Sequence, residues 1–183
     1  MDAFIWVVIA IAVVAVIVVV ALAYMQRRRR SHLKEWFGPE YDRAVEGEER
    51  RGRAERQLDD RMRRRKELDI RPLEPDARER YTAVWHELQA RFVDQPAEAV
   101  DRADVLVAEV MRERGYPVDD FEEQADLVSV DHPDVVENYR IAHATYVRKT
   151  EQSATTEDCR KAVVAYRSLF DELLSDNGRP SDN

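Results

Sequence analysis

Apolar and polar positions divide the chain into three unequal stretches. The first runs from Ala3 to Met25, 23 residues without a charge, and contains "VVIAIAVVAVIVVVALA". At the helical rise it covers roughly 34 Å, against a hydrocarbon core of about 30 Å. Val and Ile favour strands in water, but a lone segment in lipid must satisfy its own backbone hydrogen bonds, so the pattern predicts a transmembrane helix over 3–25. Trp6 and Tyr24 stand near its ends, where amphipathic rings prefer the interface.

The second stretch, 26–71, is polar almost throughout. From Glu40 to Leu68, 19 of 29 residues are charged, nine acidic and ten basic. Glu46–Arg50, Glu49–Arg53, Asp59–Arg63 and Asp60–Arg64 each place an acid four residues before a base, the favourable order on a solvated helix. Val45, Leu58 and Met62 make only a thin apolar stripe. The alternation a coiled coil needs is missing, and Gly47 and Gly52 weaken the helix. The expectation is a charged single helix or loosely paired stalk, reaching on the order of 40 Å from the membrane. "LDIRPLEP" at 68–75 interrupts it with two prolines and sets a boundary.

The third stretch, 72–175, repeats apolar residues at helical spacing. Ala77, Tyr81, Val84, Trp85, Leu88 and Phe92 follow Pro75; Ala99, Val100, Ala103, Leu106, Val107, Val110 and Met111 follow Pro96 and end at Gly115. A short acidic segment, "DDFEEQADL", places Asp119 and Glu122 as a capping box. Pro133 starts a further helix carrying Val135, Val136, Tyr139, Ala142, His143, Tyr146 and Val147. Thr155 caps a last one with Cys159, Ala162, Val163, Tyr166, Phe170, Leu173 and Leu174 on one face. Residues 176–183 read as a disordered tail. The fold class is all-α: an N-terminal transmembrane helix, a charged helical stalk and a small C-terminal domain of five helices.

Charge decides the orientation of the first stretch. Arg27, Arg28, Arg29, Arg30 and Lys34 follow the apolar run directly and resist translocation, which places the N-terminus outside and the C-terminal domain in the cytoplasm of a bacterial inner membrane. Trp6, Tyr24 and Trp36 join these five as membrane-interface residues, with lipid contact over 3–37. The competing reading is a cleaved signal peptide and a secreted helical domain, since "ALA" at 21–23 has the small residues a peptidase accepts. Against it stand the missing basic n-region and the length of the run. Twin-arginine export fails because those arginines must precede the apolar stretch, and no Cys lies nearby for lipidation.

Residues 1–71 carry 16 basic and 12 acidic residues, a balance of +4, while 72–183 carry 13 and 25, a balance of −12. An acidic domain is repelled by phosphate backbones, so nucleic acid is not an expected partner. Twenty-five of the 29 basic residues are Arg, the mark of a GC-rich genome. The lone Cys159 excludes an internal disulfide and has apolar company, which suits a buried thiol better than a nucleophile.

Candidate chemistry is sparse. There is no HExxH, paired-Cys spacing, Gly-rich phosphate loop or nucleophile elbow, so no catalytic residue, metal ligand or cofactor is assigned. His32 lies among juxtamembrane charges and His86 at the margin of an apolar stripe. Asp131, His132 and Asp134 sit where short acids cap a helix start, and His143 is about three turns further on. An enzyme site around His132 and His143 is the alternative such residues leave open. Asp119, Asp120, Glu122, Glu123 and Asp126 form an acidic cluster able to dock a basic protein partner, with a solvated helix face as the plainer reading.

The motifs "FGPEYDRAV", "LDIRPL", "QARFVDQPAEAV", "RGYPVDDFE", "SVDHPDVVENYR" and "AYRSLFDELL" together resemble a family of uncharacterised bacterial proteins, mainly actinobacterial, over about residues 35–175. The resemblance implies an apolar N-terminal helix, a charged segment and a helical domain. It implies no activity, so no functional residue is carried over. Cys159 departs from it, since an aliphatic residue is more usual there. The expected function is that of a single-pass, membrane-anchored adaptor or scaffold presenting a protein-binding domain, its partner unidentified and homo-oligomers possible.

Overall fold

A computed structural model describes residues 2–48, 50–150 and 154–175, and among them forms eight helices and no strand. Helix α1 spans Asp2–Phe37 without interruption, and α2, Pro39–Glu46, turns back from it at Gly38 (φ 50°). Helix α3 is Arg51–Glu67. After the extended 69–74 linker come α4, Pro75–Arg91; α5, Pro96–Arg114; α6, Phe121–Asp131; α7, Val136–Thr150; and α8, Thr156–Leu174. These last five are the five helices expected of the C-terminal region.

The punctuation follows local chemistry. Pro39, Pro75 and Pro96 each occupy a first turn, where the missing N–H has no helical acceptor to lose. Gly115 ends α5 at φ 101°, and a Cβ there would meet the Asp69 carbonyl oxygen at 2.5 Å, so the site admits only glycine. Thr155 and Asp158 cap α8 reciprocally. Two details differ from expectation. The cap of α6 is Asp120, accepting from the Glu123 amide at 2.8 Å, one residue beyond Asp119, because Phe121 turns inward as the first helical residue. And α7 begins at Val136, three residues after Pro133: Asp131 is the last residue of α6 and His132 its C-cap, so neither serves as an N-cap.

The main core lies among α4 to α8. Trp85, Leu88, Val107, Met111, Tyr139, Tyr166 and Phe170 are buried there, and Trp85 stacks on Phe170 with ring centroids 4.7 Å apart. A second apolar cluster joins Leu33 and Phe37 of α1, Tyr41 of α2, Leu58 of α3 and Val130 of α6. Helix α6 belongs to both: Leu127 and Val128 face the main core, Val130 the second.

That second cluster overturns the stalk. Residues 39–67 do not project as a free charged helix; α2 and α3 fold back on the end of α1 and on α6, burying Glu40, Tyr41, Ala54, Glu55, Leu58 and Arg61. The thin stripe suffices because its complement, Leu33, Phe37 and Val130, lies elsewhere in the chain. A buried side chain as large as Phe37 contributes about 2 kcal/mol. The charges behave likewise: Asp59 pairs with Arg29 and Arg64 with Glu123 (3.4 Å), rather than with partners four residues on. Glu46 and Arg50 stand on different elements, and the Glu49–Arg53 pair lies outside the described residues, as does the 176–183 tail.

Among the described residues no helix is long and apolar enough to cross a membrane. The described apolar side chains of α1 run continuously from Val13 to Met25, 13 residues, before Arg27. They are exposed, from Val18 at 50% to Tyr24 at 67%.

Candidate functional site

Burial begins abruptly on α1. Arg27 and Arg28 are exposed and take no ion pair among the described residues, whereas Arg29 pairs with Asp59 and Arg30 Nε with Glu55 at 3.0 Å. Lys34 reaches Asp42 at 3.6 Å. One turn beyond Arg29 and Arg30, Leu33 and Phe37 are in the core. Trp36, expected at the lipid interface, is half-buried instead, and its indole N–H donates to the Val130 carbonyl at 3.1 Å. The geometry makes Trp36 a tie between α1 and α6. Trp6 and Tyr24 stay exposed, at 70% and 67%.

Behind this seam lies a buried polar lattice. Glu40, 2% exposed, accepts from Arg140 Nη1 at 2.7 Å, Arg140 Nη2 at 2.9 Å and Arg61 Nη1 at 2.8 Å. Arg61 also reaches Asp126 at 2.6 Å, and Arg140 reaches Glu137 at 3.6 Å. Four helices, α2, α3, α6 and α7, thus meet at two guanidiniums and two carboxylates. Burial alone would raise the Glu40 pKa, but the hydrogen bonds and charges of Arg140 and Arg61 outweigh it and hold the carboxyl below its ordinary range. Asp126 goes the other way: burial raises it, and the same arginines only partly oppose that.

The acidic cluster is therefore largely consumed within the chain. Asp120 caps α6, Glu123 pairs with Arg64, and Asp126 pairs with Arg61. The basic partner such a cluster invites is supplied by α3. Asp119 and Glu122 remain at the surface.

The two candidate histidines are not brought together. His132 is buried beside Asp131, Arg114 and Glu172, its Nδ1 3.5 Å from Glu172 Oε1. Burial holds its pKa below the usual imidazole range, with Arg114 adding to that and Asp131 and Glu172 opposing it. Asp131 itself accepts from Arg65 Nε and the Tyr116 hydroxyl. His143 stands elsewhere, against Phe121 (centroids 3.6 Å, planes 9° apart), with Nδ1 3.3 Å from Asp104, which also accepts from Tyr166 at 2.6 Å. A carboxylate orienting an imidazole is one element of a catalytic constellation. Here, however, the rings of Phe121 and Tyr146 flank the imidazole. Cys159 is 3% exposed, and burial pushes its thiol up, away from the thiolate a nucleophile needs. Among the described residues no cluster of His, Cys, Asp or Glu has the arrangement to hold a metal ion.

Two surface grooves complete the inventory. One, of about 260 Å³ between α4 and α5, has Val84, Leu88, Val105 and Leu106 as its apolar lining, with Glu87, Asp101, Arg102 and Glu109 around them. The other, about 160 Å³ between α4 and α8, is lined by Gln89, Phe92, Arg160, Val163 and Val164. Neither touches the polar lattice or the histidines.

The residues that organise this region, Glu40, Arg61 and Arg140, carried no motif. The available signal was a carboxylate set between Pro39 and Tyr41 in an otherwise apolar-flanked turn, "WFGPEY", where an unpaired charge would be out of place. No protein-family model, curated protein or solved structure matches the chain.

Proposed function

We propose that this is a single-pass membrane protein whose residues 3–25 span the bilayer and whose helical bundle is displayed in the cytoplasm as an adaptor for another protein. The observation that carries the proposal is the continuity of α1. One helix runs from Asp2 to Phe37, and its last turns are rooted in the bundle through Leu33, Trp36 and Phe37. Its apolar side chains from Val13 to Met25 stand in solvent, a band that water-soluble surfaces do not leave uncovered. In sequence the uncharged run extends back to Ala3, 23 residues against the 13 from Val13, and 23 suits a hydrocarbon core of about 30 Å.

Orientation rests on Arg27 to Arg30, which favour the cytoplasmic side. The adaptor role is supported by how the reactive groups are spent. Carboxylates and guanidiniums of the lattice neutralise one another, while the α4–α5 groove offers an apolar lining among acids. The likeness of "FGPEYDRAV" and its companion motifs to membrane-anchored helical proteins of bacteria supports the same architecture.

The test is fractionation of the full chain with an alkaline carbonate wash, a topology reporter fused after Asn183, and an intact-mass measurement. Retention in the membrane, activity of a cytoplasmic-type reporter and an uncleaved mass are expected. A mature chain beginning at Tyr24, or a reporter active only outside, would refute the anchor or its orientation.

A further inference from the structure

The lattice and the clasp fix where the bundle sits once α1 is inserted, and the inference below rests on that insertion. The apolar run ends at Met25, and the clasp residues Arg29 and Arg30 follow four and five positions later. At the helical rise that is about 6–8 Å, within the depth of one headgroup layer. Asp59 and Glu55 of α3 are bound at that level by Arg29 and Arg30. So α3, far from standing off on a stalk, is held beside the headgroups.

What α3 presents there can be read from its periodicity. Arg56, Asp59 and Arg63 stand at i, i+3 and i+7, a single stripe on the side that meets Arg29. Arg56 and Arg63 are exposed. Arg56 Nε donates to the Gly52 carbonyl at 3.0 Å and makes no ion pair among the described residues. Arg63 has only the equally exposed Asp60, at 3.5 Å. Arg27 and Arg28, also exposed, lie one turn or less from the clasp on α1. Asp59, the acid in the middle of the stripe, is already neutralised by Arg29.

We propose that Arg56 and Arg63 of α3, together with Arg27 and Arg28 of α1, form one composite surface that lays the bundle against an anionic lipid leaflet. The occupant is a sheet of negatively charged headgroups, recognised by charge density rather than by one headgroup's shape. Each arginine brought to such a surface multiplies the docked population about fivefold, so Arg56 and Arg63 together are expected to shift it about 25-fold. The contact weakens as salt shortens the screening length.

The experiment uses the full chain in nanodiscs, either of phosphatidylcholine alone or with about a third phosphatidylglycerol, followed by amide hydrogen exchange over residues 51–67. Exchange in α3 is expected to slow at least threefold in the anionic discs, to recover at high salt, and to leave α8 unaffected. R56Q/R63Q should abolish the slowing with the helical CD signal intact, while R56K/R63K should keep it. Equal exchange in both kinds of disc overturns the proposal, as does slowing that survives R56Q/R63Q. If the chain fails to enter either disc, the anchor reading itself fails and this surface falls with it.

Discussion

Replacing Glu40 by Gln removes one charge from the lattice while keeping its volume. The side chain is 1% exposed, those of Arg140 and Arg61 are 9% and 11% exposed, and Glu40 is the acceptor nearest to both. Removing one member of a buried ion pair costs about 3–5 kcal/mol, because the remaining charge stays out of water unpaired. Gln retains one acceptor oxygen and Asp126 still reaches Arg61, so the lower end applies, about 3 kcal/mol. For a folded region of this size that lowers Tm by roughly 6–12 °C. Thermal and urea denaturation in mild detergent, followed by CD and by Trp36 and Trp85 fluorescence, reads it directly. A cycle with R140Q gives the coupling: the double variant is expected to lose at least about 1 kcal/mol less than the sum of the singles. The lattice also has a pH signature. Glu40 binds its proton less readily folded than unfolded, so its contribution is present above pH 4.5 and is lost as pH falls through its lower folded value. Asp126, raised by burial, takes up its proton at higher pH than an ordinary Asp and partly offsets that loss on acidification. E40Q should remove the acid-side loss. A stability change under about 1 kcal/mol, or strict additivity with R140Q, would refute the claim that Glu40 holds these helices together.

Three further outcomes are expected. His132 is buried with a lowered pKa, so the unfolded chain binds the proton more readily; stability is full above about pH 6.5 and declines as pH falls below it, and H132N should flatten the denaturation midpoint between pH 6.5 and 5. G115A places a Cβ against the Asp69 carbonyl in a left-handed conformation and should cost about 3 kcal/mol by urea denaturation, an unchanged midpoint meaning that the linker does not pack there. T155A removes the cap of α8 and should cost about 1 kcal/mol, with exchange rising first at the amides of residues 156–159.

The helices of 75–174 were legible because each announces its ends locally. Pro75, Pro96, Gly115 and Thr155 act within a few residues, and apolar spacing then assigns the buried face. The segment 39–67 was not legible, for a definite reason. Its charge content reads as solvation only if each charge must find its partner nearby. Arg61, Arg64 and Arg65 find Asp126, Glu123 and Asp131 some sixty residues on, and no local pattern encodes that. The acidic cluster and the basic helix were each visible in sequence as surfaces in want of a partner; that they are each other's partner is tertiary information. The same holds for Glu40, whose two arginines lie on α3 and α7. His132 and His143 were separable in sequence by their spacing, but only the packing shows the first enclosed and the second stacked on Phe121.

An acidic chain resting on an anionic leaflet looks contradictory until the charges are placed. The net charge is −8, yet residues 1–71 carry +4 and residues 72–183 carry −12. Helices α1, α2 and α3 pack chiefly among themselves and on α6, while α4, α5 and α8 pack on one another and through α7. The cross-pairs Arg61–Asp126, Arg64–Glu123 and Arg65–Asp131 neutralise charge where the two groups meet. What is left uncompensated is arginine on the α1–α3 side and carboxylate on the other. A helix is about 10 Å across with its side chains, and the screening length at physiological salt is about 8 Å. The leaflet's field therefore acts on arginines held beside the headgroups and is largely screened one helix further away. Repulsion of the acidic helices costs little at that distance, but it does oppose any tilt that would bring them down to the surface. Under the membrane reading, the same charge separation that attracts α3 keeps the α4–α5 groove turned away from the lipid and open to a partner.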